Sequence, residues 1–294
     1  MISVVIPTYK TQGGLVNSVD SVLKQTYTDV EIIVIDDNDP ESIYRKQTEV
    51  LMKKYEDNPK VVYIKHKENK NGAAARNTGI AASHGNFIAF LDDDDIFMPE
   101  KLDKQLKFLN ENIEYQAVYC LIIAKGKIIN SYPYEGNCLI PLLKERTRMF
   151  TSSLMFRREA LLSFGGFNES FSRHQDYDLM IRFFECKYRV GLIKEPLIVY
   201  NTLGNNRVSG VQLEKLKVQY LSQFRDVLND LEQHHHGLRN NIIANNYASV
   251  FISHLASREY YRAFVVFFRY FFLSPSGFIG FILNFIKNHI VKYV

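Results

Sequence analysis

The sequence contains few cysteines, and their spacing argues against two common ways of stabilising a fold. Cys120, Cys138 and Cys186 make an odd set, and no two of them form a CxxC pair. A disulfide framework would need paired cysteines, and a structural zinc site would need closely spaced ligands. We therefore expect neither feature, and we expect the chain to fold in a reducing compartment.

The first residues of the sequence show neither the pattern of an export signal nor a dinucleotide-binding motif. No basic leader precedes the apolar strand that begins at Ile2, so we expect no signal peptide and a cytoplasmic location. Pro7-Thr8-Tyr9 follows this strand, where a dinucleotide oxidoreductase would carry GxGxxG. A phosphatase with an aspartyl nucleophile would carry paired aspartates at the same place. The sequence therefore argues against both classes of enzyme.

The charge excess is concentrated at the end of the chain. Of the 294 residues, 46% are apolar and 23% are charged, which is typical of a folded protein and not of a disordered one. The formal net charge is +4. The segment from Leu255 onward accounts for it with Arg258, Arg262, Arg269, Lys287 and Lys292 against Glu259. A neutral body with a basic, aromatic tail favours a membrane surface over nucleic acid as a partner.

Apolar strands alternate with helical segments through the first third of the chain. The predicted strands are Ile2–Ile6, Glu31–Ile35, Val61–Ile64 and Phe87–Leu91, and the predicted helices are Leu15–Leu23, Pro40–Tyr55 and Gly72–Ala82. This alternation predicts an α/β fold with a Rossmann-like, doubly wound and mostly parallel sheet. A mixed segment follows, with one clear helix at Asp176–Cys186. The chain then reads as helical, so we predict a catalytic domain over residues 1–210 and a helical C-terminal extension over residues 211–294.

Three polar motifs stand at the ends of predicted strands. They are Pro7-Thr8-Tyr9, Asp36-Asp37 and the run Asp92–Asp95. Ligands of doubly wound sheets bind beyond the carboxyl ends of the strands, so these motifs are expected to meet in one crevice.

The aspartate run Asp92–Asp95 is the strongest of these signals. Four adjacent carboxylates at the end of a buried strand repel one another and raise one another's pKa. A divalent cation would relieve this conflict, and Mg²⁺ or Mn²⁺ prefers carboxylate and phosphate oxygens. The alternative is an acidic loop that caps a helix near Pro99–Leu109.

The other polar motifs have structural alternatives as well. Asp36 and Asp37 could bind a nucleobase N–H or form a turn. Arg76 lies one turn into an alanine-rich helix, where it could reach a diphosphate or lie on the surface. Asp176 could cap its helix or act as a general base. The run His234–His236 reads as a solvated helix end, with a metal site as the alternative.

Taken in order, these motifs resemble the family-2 inverting glycosyltransferases of the GT-A fold. The resemblance extends from Ile2 to about Gly210. It rests on Val4–Tyr9, Ser21–Tyr27, Ile35–Asn38, Ala75–Asn77, Phe90–Asp95 and Gln175–Leu179. No single segment is specific for this family, but the set of segments in this order is specific for it. The chain looks most similar to bacterial enzymes that build capsule, lipopolysaccharide O-antigen or other surface glycans.

The resemblance implies a role for each matching residue. Asp37 would bond the base, usually uracil, and Asp94 would be the principal ligand of Mn²⁺ or Mg²⁺, aided by Asp92. The residues that would bind the nucleotide-sugar donor are Pro7, Thr8, Tyr9, Asp37, Arg76, Asp92 and Asp93. The stretches 151–153 and 165–167 match the region that shapes the sugar and acceptor pocket.

Asp176 would be the catalytic base of a single inverting displacement. It would take the proton from an acceptor hydroxyl on a glycan or lipid-linked glycan. The family often has glutamate before this aspartate, whereas this chain has Gln175. Two alternatives stay open. One is a non-catalytic nucleotide- or glycan-binding relative. The other is a sugar-1-phosphate nucleotidyltransferase, although the glycine-rich basic loop of that class is absent after the first strand.

The aromatic tail predicts two short amphipathic helices that lie in a membrane interface. The run Phe264–Leu273 is interrupted by Arg269 and followed by Pro275, so it is too broken for a spanning helix. The predicted location is therefore peripheral, on the inner face of the cell membrane. A helical hairpin packed on the catalytic domain and an oligomer interface are the alternatives.

Overall fold

The chain forms two compact units, Met1–Leu142 with Thr147–Leu203, and Leu143–Arg146 with Gly204–Val294. The structure is a computed structural model that describes residues 1–11, 13–129, 134–171, 174–201 and 209–290, without the side chains of residues 287–290. The side chain of Lys287 and all of Lys292, two of the predicted basic tail residues, therefore lie outside the described residues. The division into functional domains at residues 210 and 211 stays a prediction.

Alternating strands and helices build the first part of unit 1. The elements are β1 Ile2–Thr8, α1 Leu15–Leu23, β2 Val30–Asp36, α2 Ile43–Met52, a 3₁₀ turn Lys53–Tyr55, β3 Val61–Lys65, α3 Gly72–Ala82 and β4 Phe87–Phe90. The predicted helix start at Pro40 is wrong. The helix begins at Ile43 because Ser42 caps it, with its hydroxyl accepting a hydrogen bond from the Arg45 N–H at 3.2 Å.

The second part of unit 1 mixes short strands and helices, and it contains more helices than the single one predicted at Asp176–Cys186. The elements are β5 Ile96–Phe97, α4 Lys101–Glu111, β6 Ala117–Ala124, β7 Lys127–Ile129, α5 Leu139–Leu143, a 3₁₀ turn Thr151–Ser153, β8 Leu154–Arg157, α6 Arg158–Ser163, α7 Gln175–Glu185 and β9 Val190–Tyr200. The aspartate run does not cap the helix that follows it, because α4 begins after Glu100 with no side-chain cap.

Within the described residues, nine strands form one sheet in the order β3-β2-β1-β4-β8-β6-β9-β5, with β7 paired to β6. The strands β3, β2, β1 and β4 are parallel. Beyond β4 the pairing becomes mixed, since β8 runs antiparallel to both β4 and β6, whereas β9 is parallel to β6. The parallel half therefore presents the carboxyl ends of β1, β2 and β4 along one edge.

Both faces of the parallel half are covered by helices. Ile32 and Val34 of β2 pack in one core with Leu15 of α1. Their neighbours Ile33 and Ile35 face the other way and pack with Ala75 of α3. This alternation follows from the two-residue repeat of a strand, and it is the reason that β2 reads as a continuous apolar run.

The alanine-rich sequence of α3 serves close packing on the sheet. A Cβ added at Gly79 would lie 2.2 Å from the Val5 Cγ1 atom, so no larger residue fits there without movement. Ala73, Ala74 and Ala75 are buried as well. This packing fixes α3 against β1 and sets the direction in which Arg76 projects.

Unit 2 is helical in the residues described. Its helices are α8 Gly210–Gln223, α9 Arg225–His234, α10 Leu238–Ala256, α11 Tyr260–Phe271 and α12 Pro275–Ile290. Apolar contacts join α10 to α11 and α12, and the rings of Tyr247 and Tyr270 stack at 3.6 Å. The histidine run lies exposed at the end of α9. None of the described helices combines the length and apolar character that crossing a membrane requires.

Candidate active site

A crevice opens in unit 1 at the carboxyl ends of β1, β2 and β4. It has two lobes, which meet at Gly72, Arg76 and Asp92. The aspartate lobe encloses about 420 Å³, and its further lining includes Pro7, Thr8, Tyr9, Asp37, Asn71, Asp93 and Asp94. The α7 lobe encloses about 380 Å³, and its further lining includes Arg148, Phe150, Ser152, His174, Gln175, Asp176 and Tyr200. All nine residues to which the sequence assigned a catalytic, nucleotide-binding or metal-binding role therefore line this crevice, whereas Asp36 and Asp95 of the same motifs are buried and line neither lobe.

The four adjacent aspartates have two kinds of surroundings. Asp93 Oδ2 accepts a hydrogen bond from the Thr8 hydroxyl at 2.5 Å. Asp95 is buried, and it accepts hydrogen bonds from the Ser152 hydroxyl at 2.7 Å and the Asn201 N–H at 3.1 Å. Asp94 has no side-chain partner among the described residues. The carboxylates of Asp93 and Asp95 thus fix the loop through side-chain hydrogen bonds, and Asp92, Asp93 and Asp94 line the crevice.

The electrostatic conflict expected from the sequence is present in the structure. Burial raises the pKa of Asp93 to about 7, and the carboxylates of Asp94 and Asp92 add to this effect. Burial and the Asp92 carboxylate raise the pKa of Asp95 to about 8, and the same two causes raise the pKa of Asp94. Negative charge is therefore disfavoured in this loop unless positive charge is brought to it.

The acidic loop is also packed tightly against the start of α1. A Cβ added at Gly14 would lie 2.6 Å from the Asp93 carbonyl oxygen and 2.9 Å from the Asp94 Cα atom. Because those atoms belong to the backbone, a side chain at residue 14 would push the loop out of position. Gly14 was not identified from the sequence, since it carries no chemistry of its own.

The carboxylate of Asp37 makes more hydrogen bonds than a simple turn would require. Its Oδ1 atom contacts His66 Nδ1 at 2.7 Å and accepts from the Lys70 N–H at 2.8 Å. Its Oδ2 atom accepts from the Asn69 side chain and the Asn71 N–H, both at 2.9 Å. Asp37 therefore ties the loop before α3 to the end of β2. Its contact with a base stays a prediction.

Arg76 joins the two lobes. Its Nη2 atom pairs with Asp92 Oδ1 at 2.5 Å, and its Nη1 atom donates to Gln175 Oε1 at 2.9 Å. The guanidinium also lies 5.5 Å from the centre of the Phe167 ring, within range of a cation–π contact. Arg76 is thus held inside the crevice rather than on the outer surface.

Asp176 lies in the first turn of α7 and lines the α7 lobe. It is not the helix cap, because His174 occupies that position with a left-handed φ of 57°. The carboxylate has no hydrogen-bond or ion-pair partner among the described residues. In contrast, Asp178 is buried and pairs with Arg182 at 2.7 Å, as the i,i+4 spacing indicated. Of the two carboxylates in the first turn of this helix, Asp176 is therefore the one that can accept a proton from a ligand.

Some contacts and lining residues of the α7 lobe could not be found from the sequence, namely the partners of Ser152 and the residues Arg148, Phe150 and Tyr200. Ser152 accepts a hydrogen bond from the Asp92 N–H at 3.1 Å while donating to Asp95, so it links the acidic loop to the segment before β8. Arg148 stacks on Phe150, whose ring lies 5.4 Å from that of Tyr200. These residues come from separate parts of the chain and form no local motif. Of the predicted pocket-shaping stretches, Thr151 and Ser152 line the α7 lobe, and Phe167 supports Arg76.

A comparison of the sequence with known families decides the classification. The family profile described as "Glycosyl transferase family 2" matches residues 3–177, which is more than half of the chain. The chain belongs to glycosyl transferase family 2. The predicted family is thereby confirmed, and with it the prediction that the chain is a glycosyltransferase.

Relatives within the family differ in how much of their length this chain covers. A glycosyltransferase of unassigned activity from Rickettsia bellii is 41% identical over 141 residues, which are 46% of this chain and 20% of that protein. The chain thus spans only a fifth of that relative. The amylovoran biosynthesis glycosyltransferase AmsB of Erwinia amylovora is 29% identical over 68% of this chain and 69% of its own.

A solved structure confirms the fold. Residues 1–349 of TarS from S. aureus, crystallised in complex with UDP-GlcNAc, superpose with a TM-score of 0.65. The identity is 18%, and the match covers 85% of this chain and 72% of that one. The predicted GT-A architecture is therefore correct, including helices after the catalytic sheet.

Proposed function

We propose that this protein transfers a sugar from a nucleotide diphosphate, with UDP as the nucleotide, to a hydroxyl of a glycan or lipid-linked glycan. The product would be part of a surface polysaccharide, and the Erwinia relative is named for the biosynthesis of amylovoran. One observation carries the proposal. The carboxylate of Asp176, which has no partner among the described residues, lines the same crevice as Asp92, although more than 80 residues separate the two in the sequence.

The aspartate lobe is the proposed site of the nucleotide. Pro7, Thr8 and Tyr9 form one of its walls, and Asn71 caps α3 at another, accepting hydrogen bonds from Ala73 N–H and Ala74 N–H at 2.9 and 3.2 Å. A capped helix N-terminus next to an arginine suits a diphosphate. The UDP-GlcNAc complex of TarS supports a UDP-sugar as the donor class.

Asp92 and Asp94 are the residues that would hold Mn²⁺ or Mg²⁺. The described residues contain no ready-made group of three metal-binding side chains. Two carboxylates nonetheless fit, because Mg²⁺ binds through one or two carboxylates together with phosphate oxygens and water. Burial and the Asp92 carboxylate raise the pKa of Asp94, so a cation bound there would stabilise the ionised carboxylates. When bound, the ion would neutralise charge that develops on the diphosphate.

The α7 lobe is the proposed site of the transferred sugar and the acceptor. Asp176 accepts the proton of the acceptor hydroxyl, whose oxygen then forms a bond to the anomeric carbon as the bond to the diphosphate breaks. Attack opposite the nucleotide inverts that centre, so an α-linked donor gives a β-linked product. Arg76 holds Asp92 at the junction of the lobes and lies within the wall that the diphosphate would contact.

A donor panel tests this function. Hydrolysis of UDP- and GDP-sugars is measured with Mn²⁺ and with EDTA, first without and then with a panel of saccharide acceptors. We expect release of UDP from at least one UDP-sugar, dependent on Mn²⁺, and faster release with an accepted saccharide. UDP binding without any turnover would instead identify a non-catalytic relative. Formation of a UDP-sugar from UTP and a sugar-1-phosphate would identify a nucleotidyltransferase.

We further propose that α11 of unit 2 rests on the cytoplasmic face of a membrane. One side of this helix is buried through Ala263 and Val266. Its other side exposes apolar and aromatic side chains, namely Tyr260, Tyr261, Phe264, Val265, Phe268 and, just past its end, Phe272. The exposed Arg258, Arg262 and Arg269 lie beside them, and α11 itself contains no acidic residue. An apolar face with basic neighbours suits anionic lipid.

The double substitution Phe264→Ser with Phe268→Ser is expected to reduce binding to phosphatidylglycerol vesicles at least 10-fold, since each buried phenylalanine contributes roughly 1.5–3 kcal/mol. Co-sedimentation measures the bound fraction. The control is Val218→Ser, which removes a valine that is 54% exposed on α8. Equal vesicle binding by all three proteins contradicts the membrane role. If the double variant instead converts a dimer to a monomer in sedimentation, α11 is an oligomer interface.

A further inference from the structure

The side chain of Gln175 is hydrogen-bonded at both ends. Its Oε1 atom accepts from Arg76 Nη1 at 2.9 Å, and its Nε2 atom donates to the Phe171 carbonyl oxygen at 2.8 Å. Gln175 is also the first residue of α7, directly before Asp176. Through this amide, the arginine of α3 is connected to the helix that carries the proposed base.

Arg76 has few other anchors. Its Nη2 atom pairs with Asp92, and its Nη1 atom makes a longer contact of 3.3 Å with the Gly72 carbonyl oxygen. Its Nε atom is buried without a hydrogen-bond partner among the described residues. The contact with Gln175 is therefore one of the few that fix the guanidinium, and the bridge Asp92–Arg76–Gln175 spans the junction of the two lobes.

The space around this bridge is limited by a neighbouring glycine. A Cβ added at Gly72 would lie 3.1 Å from Arg76 Nη1 and 3.4 Å from Gln175 Oε1. Gly72 is the first residue of α3, and its lack of a side chain leaves room for the two side chains to meet. A larger residue there would crowd their contact.

Only a group with an acceptor at one end and a donor at the other satisfies both partners. A guanidinium can only donate, and a carbonyl oxygen can only accept. A glutamate carboxylate would place an acceptor against the Phe171 carbonyl and would draw the charge of Arg76 away from Asp92. A hydrocarbon would satisfy neither partner. The amide of Gln175 is therefore chemically suited to this position in a way that a carboxylate or a hydrocarbon is not.

We propose that Gln175 is a positioning residue whose neutral amide holds Arg76 against Asp92 and fixes the first turn of α7, where Asp176 lies. The inference rests on the proposed function for the roles of Asp92 and Asp176. It adds that the two lobes are aligned with each other through one side-chain bridge.

A double-mutant cycle tests whether Gln175 acts through Arg76. The variants are Gln175→Leu, Arg76→Met and the two combined, and kcat/KM is measured with the best donor and acceptor. Each single change is expected to lower kcat/KM by about 10- to 100-fold, because small misplacements in a site have effects of this size. The combined variant should lose no more than the worse single one. Losses that multiply would overturn the proposal.

The conservative change Gln175→Glu provides a second test. It is expected to lower kcat/KM by about 10-fold while the thermal unfolding midpoint stays close to that of the parent. The matched control is Gln47→Glu on α2, an exposed position that lines neither lobe, which should leave kcat/KM unchanged. A Gln175→Glu enzyme with parental kcat/KM would show that the neutral amide has no special role.

A crystal structure of Gln175→Leu separates this inference from the proposed function. Displacement of Arg76 from Asp92 supports the positioning role even if no donor is ever turned over. An unchanged contact between Arg76 and Asp92 overturns it, whatever the enzyme transfers.

Discussion

Replacing Asp176 by asparagine is expected to lower the turnover number by about 10²- to 10⁴-fold, while the affinity for UDP stays within a small factor of the parent. Asparagine has nearly the same shape but cannot accept a proton, and general-base catalysis contributes a factor of this size. UDP binding should survive because Asp176 lines the α7 lobe and not the aspartate lobe. Single-turnover kinetics and calorimetric titration with UDP measure the two quantities.

Asp178 provides a matched control on the same turn of α7. It is buried and paired with Arg182, which in turn donates hydrogen bonds to the carbonyl oxygens of Phe164 and Gly166. Asp178→Asn should therefore lower the unfolding temperature, and the folded enzyme should retain its turnover number. A normal turnover number in Asp176→Asn would remove this residue from the chemistry.

Replacing Asp94 by asparagine is expected to weaken Mn²⁺-dependent UDP binding by about 100-fold or more, since a bound ion supplies several kcal/mol of charge stabilisation. Metal-free binding of UDP should change little. The fold should tolerate the substitution, because the Asp94 carboxylate has no side-chain partner among the described residues and its pKa is raised by burial and by Asp92. Removing that charge relieves repulsion within the loop. Calorimetric titrations with Mn²⁺ and with EDTA measure the effect.

Asp103→Asn is the control for this experiment, because Asp103 is an exposed carboxylate on α4. It should bind UDP like the parent under both conditions. If the parent enzyme is equally active in EDTA, the metal role of the acidic loop is wrong. If Asp94→Asn keeps the full response to Mn²⁺, the metal is held by other residues.

The elements of the parallel half were predictable because local pattern and tertiary position agree there. The run Ile32–Ile35 is apolar at every position, which indicates a strand covered on both faces, and the structure covers it with α1 and α3. The helix start was predicted wrongly at Pro40, because proline is tolerated in the first turn of a helix. The hydroxyl of Ser42 caps the helix instead, so the helix begins at Ile43. The mixed half was predicted only in outline, since β8 and β6 pair through partners distant in sequence.

The candidate site was predictable to a similar degree. Strand ends bring Thr8, Asp37 and Asp92 to one edge, so their convergence follows from strand order. The hydrogen-bond partners of these side chains could not be predicted from strand order. That Asp37 would tie down the loop before α3, and that Arg76 would reach across to Gln175, depends on distances between segments that no local pattern encodes.

The sequence by itself determined the family, the parallel half of the sheet and the residue types that meet at its edge, because strand periodicity and ordered motifs are local properties of a chain. Only the tertiary structure decided which carboxylates are engaged and which face the crevice. Asp93 and Asp95 are held by Thr8 and Ser152, whereas Asp94 and Asp176 have no side-chain partner among the described residues. Adjacent aspartates are alike in sequence, and they differ only in the donors that folding brings to them.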